Sequence, residues 1–229
     1  MRKPKKTTKL KSTQIDAYVG RMLENIIEGK EILKLRKGVR LFSQGAEADA
    51  IYFIQSGRVK ITIASVQGKE AVLAILGPRD FFGEGCLVGH SLRISTATTT
   101  ESSTVFKIQK RAMLQALHAQ PELSEKFIAS LLVHNIDMEE DICDQLFNQT
   151  EKRLARVLLK LSRYGQQDFL PDAKLSQLSH EALADLVGTT RPRILHFLNK
   201  FRRLGLIHYN GNGEIMVRAE MLSDVVLHV

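Results

Sequence analysis

Residues 82–97 read FGEGCLVGHSLRISTA and gather unusual chemistry in one short stretch. Gly83, Gly85 and Gly89 let the backbone come close to a ligand, and exposed N–H groups in such a loop can form an anion-binding nest. Arg93 adds a permanent, planar cation suited to phosphate oxygens. Glu84 suits phosphate poorly, but its carboxylate can accept hydrogen bonds from sugar hydroxyls. Sugar and phosphate recognised in one loop point to a nucleotide whose phosphate doubles back on its own sugar. Cys86, in the same loop, reads as a small buried residue or as a redox thiol whose pKa Arg93 lowers.

A second stretch, LSHEALADLVGTTRPRILHFLNKFRRLG from Leu178 to Gly205, carries a different chemistry. Ser179 precedes an apolar periodic run, where its hydroxyl can cap a helix. Ala182, Leu183 and Leu186 give that helix a buried side, and Gly188 marks a turn that needs φ > 0. Thr190 is placed to cap a second helix, with Pro192 tolerated in its first turn. Ile194, Phe197, Leu198 and Phe201 then form one core stripe. Pro192, His196, Asn199 and Arg203 fall on the opposite side. This is the layout of a helix-turn-helix whose second helix enters the DNA major groove. The competing reading is a helical hairpin with a solvated basic face. LIHYNGNGEIMV follows, with hairpin signals at Asn210-Gly211 and Asn212-Gly213, so the expectation becomes a winged helix.

Charge is distributed to match. The net +8 of the 229 residues divides into +6 over 1–11, −2 over 12–150, +6 over 151–205 and −2 over 206–229. The interior positive block surrounds the helix-turn-helix, where phosphate contacts are needed. The basic segment 1–14 reads as a disordered tail. No apolar run approaches the ~20 residues that span a bilayer, and no apolar region follows the basic start as in a signal peptide. No membrane partner is expected, and the compartment implied is the cytoplasm. The two cysteines, Cys86 and Cys143, are too few for a four-thiolate metal or iron–sulfur site. None of the seven histidines sits in a context that marks a haem ligand. No nucleophile–base pair or metal cluster argues for an enzyme.

These stretches must be held by larger elements. Residues 12–30 read as a helix with Ile15, Val19, Met22, Leu23 and Ile26 on one face. From Glu31 short β runs follow, punctuated by Gly38, Gly45 and Gly57, which argues for an antiparallel barrel or sandwich. Ala112–Ala119 returns to helix, and Pro121 opens a long one reaching about Phe147. Its apolar stripe of Phe127, Ile128, Leu131, Leu132, Ile136, Met138, Ile142 and Leu146 is broad enough to face the barrel and a second copy of itself. His134 and Asp141 interrupt a strict heptad. Asn148-Gln149-Thr150 reads as a hinge. EKRLARVLLKLSRYG gives another amphipathic helix ended by Gly165, and 166–177 a polar linker. The expected class is α+β: a sensor domain over 15–120, a dimerisation helix and hinge over 121–148, and a DNA-binding domain over 149–229.

FGE followed by Arg93 resembles the phosphate-binding cassette of cyclic-nucleotide-binding domains. GVRLFSQGAEADAIYFIQSGRVKI resembles the first strands of the same jelly-roll-like β-roll. With the long helix and the winged helix-turn-helix, nearly the whole chain after residue 15 resembles the cyclic-AMP receptor / fumarate-nitrate regulator (Crp/Fnr) family of bacterial transcription factors. The resemblance implies that Gly83 and Glu84 meet a ribose, that the backbone of Gly85 and Cys86 faces a phosphate, and that Arg93 pairs with it. Ser95 lies where the family uses small donors. Ile94 departs from the Ser that follows the Arg in the catabolite activator. Met138 and Glu139 stand where the catabolite activator has the hydroxyl residues that meet the base, a second departure. In the helix-turn-helix the resemblance assigns Arg191 and His196 to base edges, with Pro192 where the activator has a Glu. Arg193, Lys200 and Arg203 are assigned to phosphates, with Ser179 and Thr189 as further contacts.

The function implied is a homodimeric regulator that binds double-stranded DNA under control of an effector such as cyclic AMP or another cyclic nucleotide, with no metal or iron–sulfur cluster. RNA polymerase is a further implied partner. Two alternatives stay open: constitutive or redox-controlled DNA binding with a vestigial pocket, and a cyclic-nucleotide-responsive interaction module.

Overall fold

The computed structural model describes residues 18–162, 172–175, 178–209 and 214–228. The expected basic tail, Ile15, Gly165, most of the polar linker and both Asn-Gly pairs lie outside the described residues. The chain forms two compact units that divide between His134 and Asn135, inside the long helix. The segment expected as a hinge, Asn148-Gln149-Thr150, lies further on, where the long helix has ended at Phe147 and the next begins at Thr150.

The first unit opens with helix α1 over residues 18–24, which stops short of the expected residue 30. Val19 and Leu23 on it are fully buried, as the periodicity predicts. Gly20 matters here because a Cβ at that position would strike the Phe53 ring at 2.5 Å. Eight strands follow: β1 (Lys30–Leu35), β2 (Arg40–Phe42), β3 (Ala50–Ser56), β4 (Val59–Ala64), β5 (Glu70–Leu76), β6 (Phe81–Phe82), β7 (Thr96–Thr99) and β8 (Ser103–Gln109). They pair antiparallel in two four-stranded sheets, β1-β8-β3-β6 and β2-β7-β4-β5. Strand β3 is buried at each residue from Ala50 to Ile54, because the two faces of its sheet pack into different cores. One core holds Ile51, Phe53, Phe106 and Ile108 with α1, α2 (Lys110–Ala119) and the start of α3 (Pro121–Phe147). The other holds Ala50, Tyr52, Ile54, Val59, Phe82 and Val105. Helix α3 contributes Leu123 and Phe127 to the first core.

The second unit contains the rest of α3, then α4 (Thr150–Leu161), α5 (His180–Val187), α6 (Arg191–Arg203) and α7 (Ala219–His228). A three-stranded antiparallel sheet has the order β10 (Ile207–Tyr209), β11 (Ile215–Arg218), β9 (Asp172–Leu175). Strand β9 corrects the expectation of a wholly polar linker over 166–177. Leu175 is buried opposite Ile215, and pairing along β11 recruits the segment into the wing. Helix α7 was not anticipated from sequence. Ala219 and Leu222 on it are fully buried, and it packs on α4.

Candidate functional site

The cassette lies where β6 runs into a short 3-10 helix, Glu84–Val88. Gly83 sits at that junction with φ 81°, a left-handed conformation that glycine adopts without steric cost. A Cβ there would also meet Arg93 Nη1 at 2.7 Å. Two requirements thus fall on one residue. Glu84 is exposed, Gly85 is half-buried and Cys86 is buried. The helix closes on Gly89, whose N–H donates to Cys86 O, while His90 N–H donates to Gly85 O. Those carbonyls are thus engaged, and the first N–H groups of the turn have no partner within the helix itself.

Arg93 is 5% exposed. Its Nη2 donates to Ala50 O at 2.7 Å and its Nη1 to Gly83 O at 3.0 Å. Asp49 lies 3.5 Å from Nη2. The guanidinium sits over the Phe42 ring at 4.4 Å and near Tyr52 at 5.4 Å, a cation–π arrangement. Phe42, Tyr52 and Phe82 contact one another, with Tyr52 and Phe82 stacked at 5.2 Å. Arg93 Nε is buried without a hydrogen-bond partner. The backbone on each side is fixed: Arg93 N–H donates to Ala46 O, and Arg93 O accepts from Gly45 N–H. The fold therefore sets Gly83 and Cys86 beside one desolvated cation, with Glu84 and Gly85 on the same short turn. Ile94, 71% exposed, points away from that core, and Ser95 is half-buried. Sequence reading missed Asp49, the Ala50 carbonyl and the Phe42–Tyr52 pair. Their only signal was membership of the GVRLFSQGAEADAIYF run.

Burial raises the Cys86 thiol pKa above its ordinary value, and the opposing pull of Arg93 is smaller. This corrects the reading of Cys86 as a thiol activated by Arg93. An open groove of about 570 Å³, lined by Arg40, Gln44, Glu70 and Thr96 among others, includes none of the cassette residues. Met138 is exposed on α3, and Glu139 accepts a hydrogen bond from Asn135 Nδ2 at 3.2 Å.

The second unit builds the helix-turn-helix largely as the sequence lays it out. Ser179 caps α5, accepting from Ala182 N–H at 3.0 Å. Its hydroxyl oxygen is therefore engaged as an acceptor. Val187, rather than Leu186, joins Ala182, Leu183 and Ala184 in the buried side. Gly188 closes α5 at φ 67°. Thr190 is the N-cap residue of α6, but its side chain makes no capping bond, which corrects that expectation. Ile194, Leu198 and Phe201 are buried. Arg191, Pro192, Arg193, His196 and Asn199 are exposed, and Thr189 is half-buried. Arg191 Nε forms an exposed ion pair with Glu181 at 2.9 Å. Lys200 Nζ reaches Glu151 of α4 at 2.8 Å. Its ammonium thus joins α6 to α4, whereas Arg193 and Arg203 are exposed.

No group of three or more metal-ligating side chains occurs among the described residues. No helix among them is long and apolar enough to cross a membrane.

A glycine-rich turn beside a buried arginine on a two-sheet β-roll, with a long helix and a winged helix-turn-helix, is the architecture of a DNA-binding regulator. Residues 32–120 match the family profile of the cyclic nucleotide-binding domain, and 152–223 that of the Crp-like helix-turn-helix domain. A CRP-like cAMP-activated global transcriptional regulator of Mycobacterium tuberculosis is 30% identical over 188 residues, 82% of this chain and 84% of that protein. The cyclic AMP receptor protein of Thermus thermophilus is 29% identical over 193 residues, 83% of this chain and 85% of that protein. Among solved structures, FixK2 from Bradyrhizobium japonicum has a TM-score of 0.73 at 18% identity, covering 85% of this chain and 96% of that one. The c-di-GMP responsive global regulator CLP of Xanthomonas campestris has 0.68 at 21%, covering 86% and 98%; both share the fold. The chain belongs to the Crp/Fnr family of DNA-binding transcription regulators.

Proposed function

We propose that the protein is a homodimeric, cytoplasmic, sequence-specific regulator whose DNA affinity is set by an anionic, nucleotide-like effector held in the cassette. The observation that carries this is Arg93. The guanidinium is 5% exposed beside the glycine-rich turn, and although Asp49 and two carbonyls meet its Nη atoms, its buried Nε keeps a donor that an added anion would satisfy. Glu84, exposed at the head of the same turn, is the acceptor for sugar hydroxyls. Of the relatives named above, one is described as cAMP-activated and another as a cyclic AMP receptor protein, so cyclic AMP heads the first panel. The effector must bind the DNA-competent state more tightly than the other. Dimerisation is assigned to α3, and RNA polymerase is the downstream partner.

The second reading, constitutive binding with a vestigial pocket, is favoured by one observation. Ala50 O, Gly83 O and Asp49 already surround the Arg93 head. Calorimetry of the purified chain against cyclic AMP, cyclic GMP and c-di-GMP, followed by DNA titration with any hit, separates the two. Arg93→Ala should weaken a bound anion by about 2–5 kcal/mol if the pair is desolvated. An affinity within twofold of the parent would remove Arg93 from the site, and no binding across the panel favours the vestigial pocket.

A further inference from the structure

The unit from Asn135 onward contains a set of side-chain bonds that neither the effector nor the DNA contacts require. Arg153, on the first turn of α4, donates from Nη1 to Gln145 O at 3.0 Å and from Nη2 to Gly188 O at 3.3 Å. The Gln145 carbonyl belongs to the last turn of α3, where carbonyls lack an intrahelical partner. Gly188 is the left-handed residue that turns the chain from α5 into α6. One rigid fork therefore touches the end of the long helix and the turn ahead of α6. Beside it, the Asp144 carboxylate, 12% exposed, accepts from Arg156 Nη1 and from Asn148 Nδ2, each at 2.7 Å. On the far side of α4, Glu151 holds Lys200 of α6. Helix α4 thus grips α3 with one set of side chains and the helix-turn-helix with another.

We propose that Arg153 is a positioning residue that couples the C-terminal end of α3 to the turn between α5 and α6. A displacement of α3 is then carried to α6, where an unclamped break at 148–149 would absorb it. The use of this coupling for effector readout rests on the function proposed above, but the clamp itself needs no effector. Lysine cannot replace the arginine, because a single ammonium on a flexible stem does not span two carbonyls as a planar fork does.

Cys143 is exposed on α3 and takes one spin label; Cys86→Ala removes the other thiol, and Asn199→Cys places a second label on α6. Pulsed dipolar spectroscopy of the full chain, diluted with unlabelled protein and without any ligand, reads the distance between α3 and α6. The parent should give one narrow distribution. Arg153→Lys and Arg153→Gln should broaden it roughly twofold, as a freed hinge would, while Lys160→Ala, which removes only the exposed pair with Asp141, should not. Melting curves confirm that each variant is folded. If Arg153→Gln does not fold, Arg153→Lys alone decides. Parental widths in the folded Arg153 variants, or equal broadening in Lys160→Ala, overturn the proposal. Because no effector is present, failure here is distinct from failure of the ligand reading.

Discussion

Arg93 and Cys86 share one loop, and burial acts on both, with opposite consequences for reactivity. The guanidinium stays charged and is held by two carbonyls and the Phe42 face. The thiol is pushed upward in pKa by the same desolvation, so it stays protonated at neutral pH and remains a poor nucleophile. Cys143 is exposed. Alkylation followed by mass spectrometry should therefore modify Cys143 in the native protein and reach Cys86 only after unfolding. Rapid native labelling of Cys86 would contradict its burial. In the helix-turn-helix, the Arg191–Glu181 pair is open to solvent, and such pairs contribute about 0–1 kcal/mol, so the proposed exchange of Glu181 for guanine would cost Arg191 little. Arg191→Ala should cost about 1–3 kcal/mol on the specific site and relax one base preference. Lys200→Ala should lower the unfolding midpoint by orphaning Glu151, and should change the salt slope by less than the roughly one unit expected of a phosphate contact. A full unit lost, with unchanged stability, would return Lys200 to the phosphate backbone.

Two elements decide whether these residues are presented at all. The turn before α6 depends on Gly188 at φ 67°, and a Cβ there would meet nothing within 4 Å. The cost of Gly188→Ala is therefore conformational strain, about 1–2 kcal/mol for a left-handed residue. Chemical denaturation should show that loss, and a neutral result would mean the turn relaxes. Helix α3 leaves Ile128, Leu132, Ile136, Ile142 and Leu146 exposed at helical spacing. An apolar stripe of this length is expected to be covered. Sedimentation should find a dimer at micromolar concentration, and Leu132→Glu or Ile142→Glu should yield monomers. A parent that sediments as a monomer, with and without DNA, would remove α3 from that role.

For the molecule as a whole, the dimer proposed through α3 would set one helix-turn-helix from each chain about a two-fold axis. DNA selected from random sequence should then be an inverted repeat, with half-site centres about 10–10.5 base pairs apart or a multiple of that. Recovery of single, unpaired half-sites would count against it. Most of this organisation was legible in the chain. The left-handed glycine at 188, the Ser179 cap and the α3 periodicity act within a few residues, through sterics and hydrogen bonds that local sequence specifies, whereas the left-handed turn at Gly83 appeared only in the structure. What only the tertiary structure decided are pairings across long separations. Arg93 meets the Ala50 carbonyl 43 residues away, and Lys200 meets Glu151 49 residues away. Asp172–Leu175 becomes a strand because β11 offers it an edge. Arg153 finds Gln145 and Gly188 only once α4 has docked. Sheet register and helix packing choose those partners, and no periodicity or composition near Arg93, Lys200 or Arg153 encodes which carbonyl or carboxylate the fold will bring to it.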